Sequence, residues 1–274
     1  MAPRRRGGSI AWLLASWRGR ARVELLLISR DRRTIIFTVM LPFILLLVLS
    51  SLLQGKPLNG GVSYAQYLTA GMIASGLVYG AFQSLSVAIP DERTNGTLKR
   101  LYGTPMPHSS YFAGKVGGVL FIYVVQVVLM LTLGAVAYGV HLPHTSSAIL
   151  TFLWLSALSL ISFTSLGIAF SSLAKTGQSA AAIATPIVLF LQFTSGVFFV
   201  FSKEPRWMQL IASLFPLRWL CQGMRSVFLP PSYGAAELGG GFHLGQVALM
   251  LGAWSLIGLV LCWRTFRWLP LGED

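Results

Sequence analysis

Charge is scarce in this sequence. Asp, Glu, Lys and Arg make up 11% of its 274 residues, where a soluble domain carries about 25%. Only eight residues are acidic. So thin a polar coat cannot cover a soluble globule of this length, which excludes soluble enzymes, disordered chains and collagen-like fibres together. Catalytic signatures are missing as well: there is no His-Glu-x-x-His and no Gly-x-Ser-x-Gly pattern. Gly114-Lys115 imitates the end of a phosphate-binding loop. However, Ser109 stands where the first glycine is required, and Val116 replaces the Ser/Thr that would hold magnesium. The chain is therefore expected to hydrolyse no nucleotide and to hold no cofactor of its own. His108, His141, His144 and His243 lie in connections, and His141 and His144 flank Pro143 in a short loop. That pattern reads as ordinary loop chemistry rather than a metal site.

What is present is apolar. Hydrophobic residues make up 54% of the chain, and mean hydropathy is +0.69. A hydrocarbon core ~30 Å thick takes about 20 apolar residues per helix. Six stretches free of charge are long enough: 34–55, 62–90, 116–140, 148–174, 178–202 and 242–263. They predict an all-α integral membrane protein of six transmembrane helices, a single domain over residues 1–274. No carboxylate lies deep in any stretch, which weighs against ion-coupled transport. Gly76-Leu-Val-Tyr-Gly80 and Gly114-Lys-Val-Gly-Gly118 offer close helix approach, and Ser156, Ser159, Ser162, Thr164 and Ser165 read as glue between helices.

Two segments are amphipathic without spanning. In 10–31, Ile10, Leu13, Leu14, Trp17, Ala21, Leu25 and Ile28 form one stripe, with Arg18 and Arg20 flanking it. This predicts an interfacial helix. Residues 203–241 are broken by Pro205, Pro216, Pro230 and Pro231 and carry Arg218 and Arg225, which predicts an external re-entrant helical hairpin. Nine of the 21 Lys and Arg residues precede the first stretch, and Arg93, Lys99, Arg100, Lys115, Lys175, Arg264 and Arg267 fall on the same side. Both termini are then cytoplasmic. The net charge of +13 is topological, and no nucleic-acid partner is expected. Cys221 and Cys262 fall on opposite sides, which argues against a disulfide.

The connection 91–112 carries the most information. The second span is expected to exit at Pro90. Asn95-Gly96 breaks the chain, and Thr97 can cap a short helix with Leu98 and Leu101 on one side and Lys99 and Arg100 beside them. The alternatives are a peg for a cytoplasmic partner and a solvated basic loop.

Glu92-Arg93-x-x-Gly96-Thr97-Leu98-x-Arg100-Leu101, followed by Thr104-Pro105 and Gly114-Lys115, resembles the signature of type-2 ATP-binding-cassette (ABC) exporter permeases. Pro186, Phe193-Thr-Ser195-Gly196-Val-Phe198-Phe199, Pro216-Leu217-Arg218 and Arg225 resemble that family's fifth span and following hairpin. Arg30-Asp31-Arg32 with Leu41-Pro42 resembles its entry to span one. The departure is Val200-Phe201, where the family often has proline. The resemblance implies a permease that dimerises in the lipid bilayer and binds separate ABC ATPase subunits, which would hold ATP and Mg. Glu92, Arg93, Gly96, Thr97, Leu98, Lys99, Arg100 and Leu101 would form the coupling element, and 10–31 the connecting helix. Gln83, Phe190, Gln192, Phe193 and Ser195 would line the substrate path, with Gly76, Gly80 and Gly196 packing helices. The daunorubicin-resistance-like branch is the nearest, implying export of a lipophilic drug-like or lipid substrate across a prokaryotic cytoplasmic (inner) membrane. A polysaccharide exporter of the same family, an ion-coupled transporter and a structural membrane protein are the alternatives.

Overall fold

A computed structural model of the chain describes residues 10–30, 40–53, 58 and 61–268. The start of the first predicted span and the Lys56 loop lie outside them. Among the described residues all regular structure is helical, as lipid demands of a backbone with no water to bond. The elements are α1 (Ile10–Arg30), α2 (Leu41–Leu52), α3 (Tyr64–Thr94), α4 (Thr97–Tyr102), α5 (His108–Tyr138), α6 (Ser146–Phe170), α7 (Gly177–Thr194), α8 (Arg206–Ser213), α9 (Pro216–Phe228) and α10 (Leu244–Thr265). Five of these, α3, α5, α6, α7 and α10, are long and apolar enough to cross a membrane.

The core is α3. Every residue from Ala65 to Leu77 is buried, because α2, α5, α6, α7 and α9 all pack around this helix. Ser63 starts it by accepting the Gln66 N–H at 3.2 Å. Midway, Val78–Gln83 widens to a π-helix. There α6 comes close through Gly167, where an added Cβ would stand 2.8 Å from the Phe82 carbonyl oxygen. The expected exit at Pro90 is corrected: the helix runs through Pro90 to Thr94. Pro90 falls in the last turns of the helix, and Thr94 Oγ1 donates to the Pro90 carbonyl at 3.1 Å.

The fifth expected span also ends elsewhere. α7 stops at Thr194 rather than 202, since Ser195 closes its last bond and Gly196 turns left-handed at φ +73°. Gly196 therefore terminates a helix, and it also sits in close contact, since an added Cβ would stand 2.8 Å from the Phe201 Cβ. Gly76 packs too, its Cα against the Gln126 side chain of α5, and Gly80 is buried inside the π-helix. Beyond α7, residues 203–241 hold α8 and α9, of eight and 13 residues. α9 is packed among α3, α6 and α10, and both of its arginines are buried.

Candidate functional site

Three consecutive residues at the end of α3 reach four other parts of the molecule. Asp91 Oδ1 accepts the Gly177 N–H at 2.8 Å and so caps the start of α7. Glu92 accepts from Tyr111 Oη at 2.8 Å and from Lys115 Nζ, both on α5. Arg93 donates through Nη1 to the Ser171 carbonyl after α6 (3.1 Å) and through Nε to the Arg267 carbonyl after α10 (3.3 Å). The left-handed Gly96 (φ +75°) then turns the chain into α4.

α4 differs from the expected peg in three respects. Gly96, not Thr97, stands at the cap position, and Asn95 Oδ1 takes the Thr97 N–H at 3.0 Å. Leu98 is fully buried, so it anchors the helix to its own chain. Glu92 and Arg93 likewise face inward. The outward face is Lys99, Arg100 and Tyr102, the last 52% exposed. Beneath it Tyr102, His108, Tyr111, Phe112, Phe266 and Trp268 stack with ring centroids 4.8 to 6.3 Å apart. The segment after α10 is thereby fixed to the base of α4 and α5.

Lys115 is 3% exposed and donates to Glu24 of α1 as well as to Glu92. Arg20 Nη2 lies 3.2 Å from the other Glu24 oxygen. Two cations and two carboxylates thus neutralise one another in a site with little solvent exposure. The helix α1 enters it along a glycine face of α5, with Arg20 against Gly114, Ala21 against Gly117 and Ile28 and Glu24 against Gly118. Arg20 does not flank an apolar stripe, as expected; it is buried with Glu24 at the centre of the contact. Glu24 was missed although Arg20 stands four residues before it, one turn along the same face of α1; its Lys115 partner lies 91 residues away.

Above this cluster a cavity of about 890 Å³ opens between α1, α3, α5 and α7. Its walls include Tyr79, Gly80, Gln83, Thr185 and Leu189, and it ends on Glu24, Glu92 and Lys115. Gln83 Nε2 donates to Thr185 Oγ1 at 3.0 Å across it. The other expected path residues do not join Gln83. Gln192 is buried and donates to Ser75 Oγ at 2.8 Å, and Ser195 is buried beside it in sequence. Phe190 points outward, and Phe193, 47% exposed, lines a separate cavity of about 500 Å³ with Phe199 and Tyr64. Tyr79 and Thr185 had no sequence signal beyond lying in apolar runs.

Residues 21–229 match the family described as ABC-2 type transporter. A transport permease of Cyanophora paradoxa, ycf38, is 29% identical over 255 residues, covering 87% of this chain and 85% of that protein. A protein of Escherichia coli (strain K12) named as a probable multidrug ABC transporter permease, YbhR, is 25% identical over 194 residues, 65% of this chain and 51% of its own length. The inner membrane transport permease YadH of the same organism is 25% identical over 171 residues, 62% of this chain and 64% of its own.

Proposed function

The chain belongs to the ABC-2 type transporter family, as a membrane subunit of a transporter, and from that premise we propose that it is the permease of an ATP-driven exporter for a lipophilic drug-like or lipid substrate. In this reading two copies pair in a prokaryotic inner membrane with both termini cytoplasmic. Separate ATPase subunits bind ATP and Mg and seat against α4. The segment with α8 and α9 forms a re-entrant hairpin at the outer face. The multidrug and inner-membrane names of the E. coli relatives support the substrate class and the location.

The observation that carries the proposal is the triplet Asp91-Glu92-Arg93. A short helix with a basic outer face is tied by that triplet to α1, α5 and α7 and to the segments following α6 and α10. A displacement of α4 is therefore delivered to the walls of the cavity rather than lost in a loop. The cavity itself combines a mostly apolar wall with a few polar groups, as small-molecule sites do.

Two outcomes test this reading. Reversing the outer charges with Lys99→Glu and Arg100→Glu should weaken co-purification of an ABC ATPase subunit produced together with this chain. The protein should stay in the membrane, because neither side chain lies in the interior. Undiminished co-purification would remove α4 as the docking element. Secondly, Gln83→Leu should reorder the export rates of several unrelated compounds by about 3- to 10-fold relative to one another, in assays normalised to membrane protein. Phe190→Ala should leave the order unchanged. A uniform fall for Gln83→Leu would mean that the cavity wall is not the path.

A further inference from the structure

The outer hairpin holds a half-buried carboxylate and a buried guanidinium that make no ion pair among the described residues. Arg225 is matched: its Nε and Nη2 engage Glu237, and Nη1 donates to the Gly196 carbonyl at 3.1 Å. Arg218, 2% exposed, has no such partner. Its guanidinium lies between the Phe201 and Trp219 rings (4.4 and 4.6 Å), Nη1 donates to Gln222, and buried Nε makes no hydrogen bond. Glu204 follows the turn that carries Phe201, with its N–H on the Phe201 carbonyl at 3.2 Å. Both of its carboxylate oxygens are shut from solvent without a hydrogen bond, while the residue borders the 500 Å³ cavity with Lys203 and Tyr64. An unmatched buried carboxylate is costly when ionised.

We propose that Glu204 and Arg218 form a proton-operated latch on this hairpin. The carboxyl is neutral in the packing seen here; on losing its proton to water in the cavity it swings onto the free Nε edge of Arg218 and re-seats α8 against α9. The external placement of the latch rests on the topology proposed above.

The surroundings fit. Burial pushes the Glu204 carboxyl up to about 7; Arg225, the Gly196 N–H and Arg218 offset this only in part. Burial and Arg225 lower Arg218 to about 10, so it stays cationic at neutral pH. The other charged or titratable groups facing this region are Lys203 on the cavity wall, Glu237, already held by Arg225, Cys221, which burial keeps a thiol, and the phenols of Tyr64, Tyr67 and Tyr233. Between the usual carboxylate range and about 7, the dry site keeps a proton that an exposed glutamate has lost. The arrangement seen here is therefore fully favoured at low pH. It loses ground as pH rises through that window, by about tenfold per pH unit inside it, and changes no further once the pH exceeds about 7.

The experiment is an infrared titration of the protein in liposomes from about pH 5.5 to about pH 8.5, read as wild type minus Glu204→Gln. A neutral-carboxyl band that disappears with a midpoint near 7 is expected. Glu204→Asp should keep a band with a shifted midpoint, and Arg218→Gln should move the midpoint up by about one unit. A flat difference spectrum overturns the proposal, and an unchanged midpoint in Arg218→Gln overturns the pairing. This readout needs no transport, so it stands if the export reading fails. In transporting vesicles, ATPase turnover should follow pH on the side away from ATP in wild type and not in Glu204→Gln. A response that follows pH on the ATP side overturns the external placement, and with it the topology.

Discussion

Lys115→Met should lower stability by about 3–5 kcal/mol, a fall in thermal midpoint on the order of 10 °C for a chain of this size. Among the described residues, the ammonium is the one group that binds both Glu24 and Glu92. Without it Glu24 retains Arg20 and Glu92 retains the Tyr111 hydroxyl, which leaves one carboxylate charge buried without compensation. Removing the charges together has a different expected result. The double variant Lys115→Met, Glu92→Gln should recover most of the midpoint, because Glu24 keeps Arg20 as its counter-charge and a neutral amide costs far less to bury than a stranded carboxylate. Its substrate-stimulated ATPase activity should nonetheless stay low, since α1 is no longer bonded to the base of α4. Thermal unfolding in detergent and ATPase assays on the same preparations separate the two effects. Equal midpoints for the single and double variants would show that the cluster does not act through charge.

The same cluster marks where sequence patterns stop being informative. The charge-free runs located the helices that became α3, α5, α6, α7 and α10, because burial in lipid excludes charge at any backbone geometry. They did not locate helix ends for the same reason. Residues 195–202 are apolar but non-helical up to Phe201, and the chain turns at Gly196 because of a positive φ. At the other end of the scale, Asp91, Glu92 and Arg93 are charged and still helical, which a hydropathy boundary at Pro90 cannot represent. In α1 the apolar positions marked both the lipid face and part of the contact with α5. The residues at the centre of that contact are Arg20 and Glu24, made tolerable only by Lys115 and by three glycines on α5 that let the helices approach. Spacing on one helix cannot show a partner on another. The basic face of α4 was legible as Lys99 and Arg100. The inward turn of Leu98 was not, since a leucine on a short helix serves equally to dock a partner or to anchor the helix.

Gly167→Val should be strongly damaging among substitutions within the lipid-embedded helices. A Cβ at 167 would stand 2.8 Å from the Phe82 oxygen and 3.0 Å from the Ala81 oxygen. Both are backbone atoms of the π-helix, so no side-chain rotation relieves the overlap. α6 must move away from α3, and Ser86 Oγ, now bridging the Phe82 and Gly167 carbonyls, loses one of them. Overpacking of this kind costs about 1–3 kcal/mol for an added methylene, and the branched valine should lie at or above the upper end. Gly167→Ala should fall lower in the same range. Gly252 on α10 provides the comparison, since nothing lies within 4 Å of an added Cβ there. Gly252→Ala should be neutral or stabilising by up to about 1 kcal/mol, because glycine is a poor helix former. The functional consequence follows from the other side of the π-helix, where Tyr79, Gly80 and Gln83 line the cavity. Shifting α6 withdraws the support behind that wall, so export by Gly167→Ala should fall more than its amount in the membrane does. Thermal midpoints for the three variants, with export normalised to membrane protein, decide the matter. Equal effects at 167 and 252 would mean that close approach to the π-helix does not hold α6 in place.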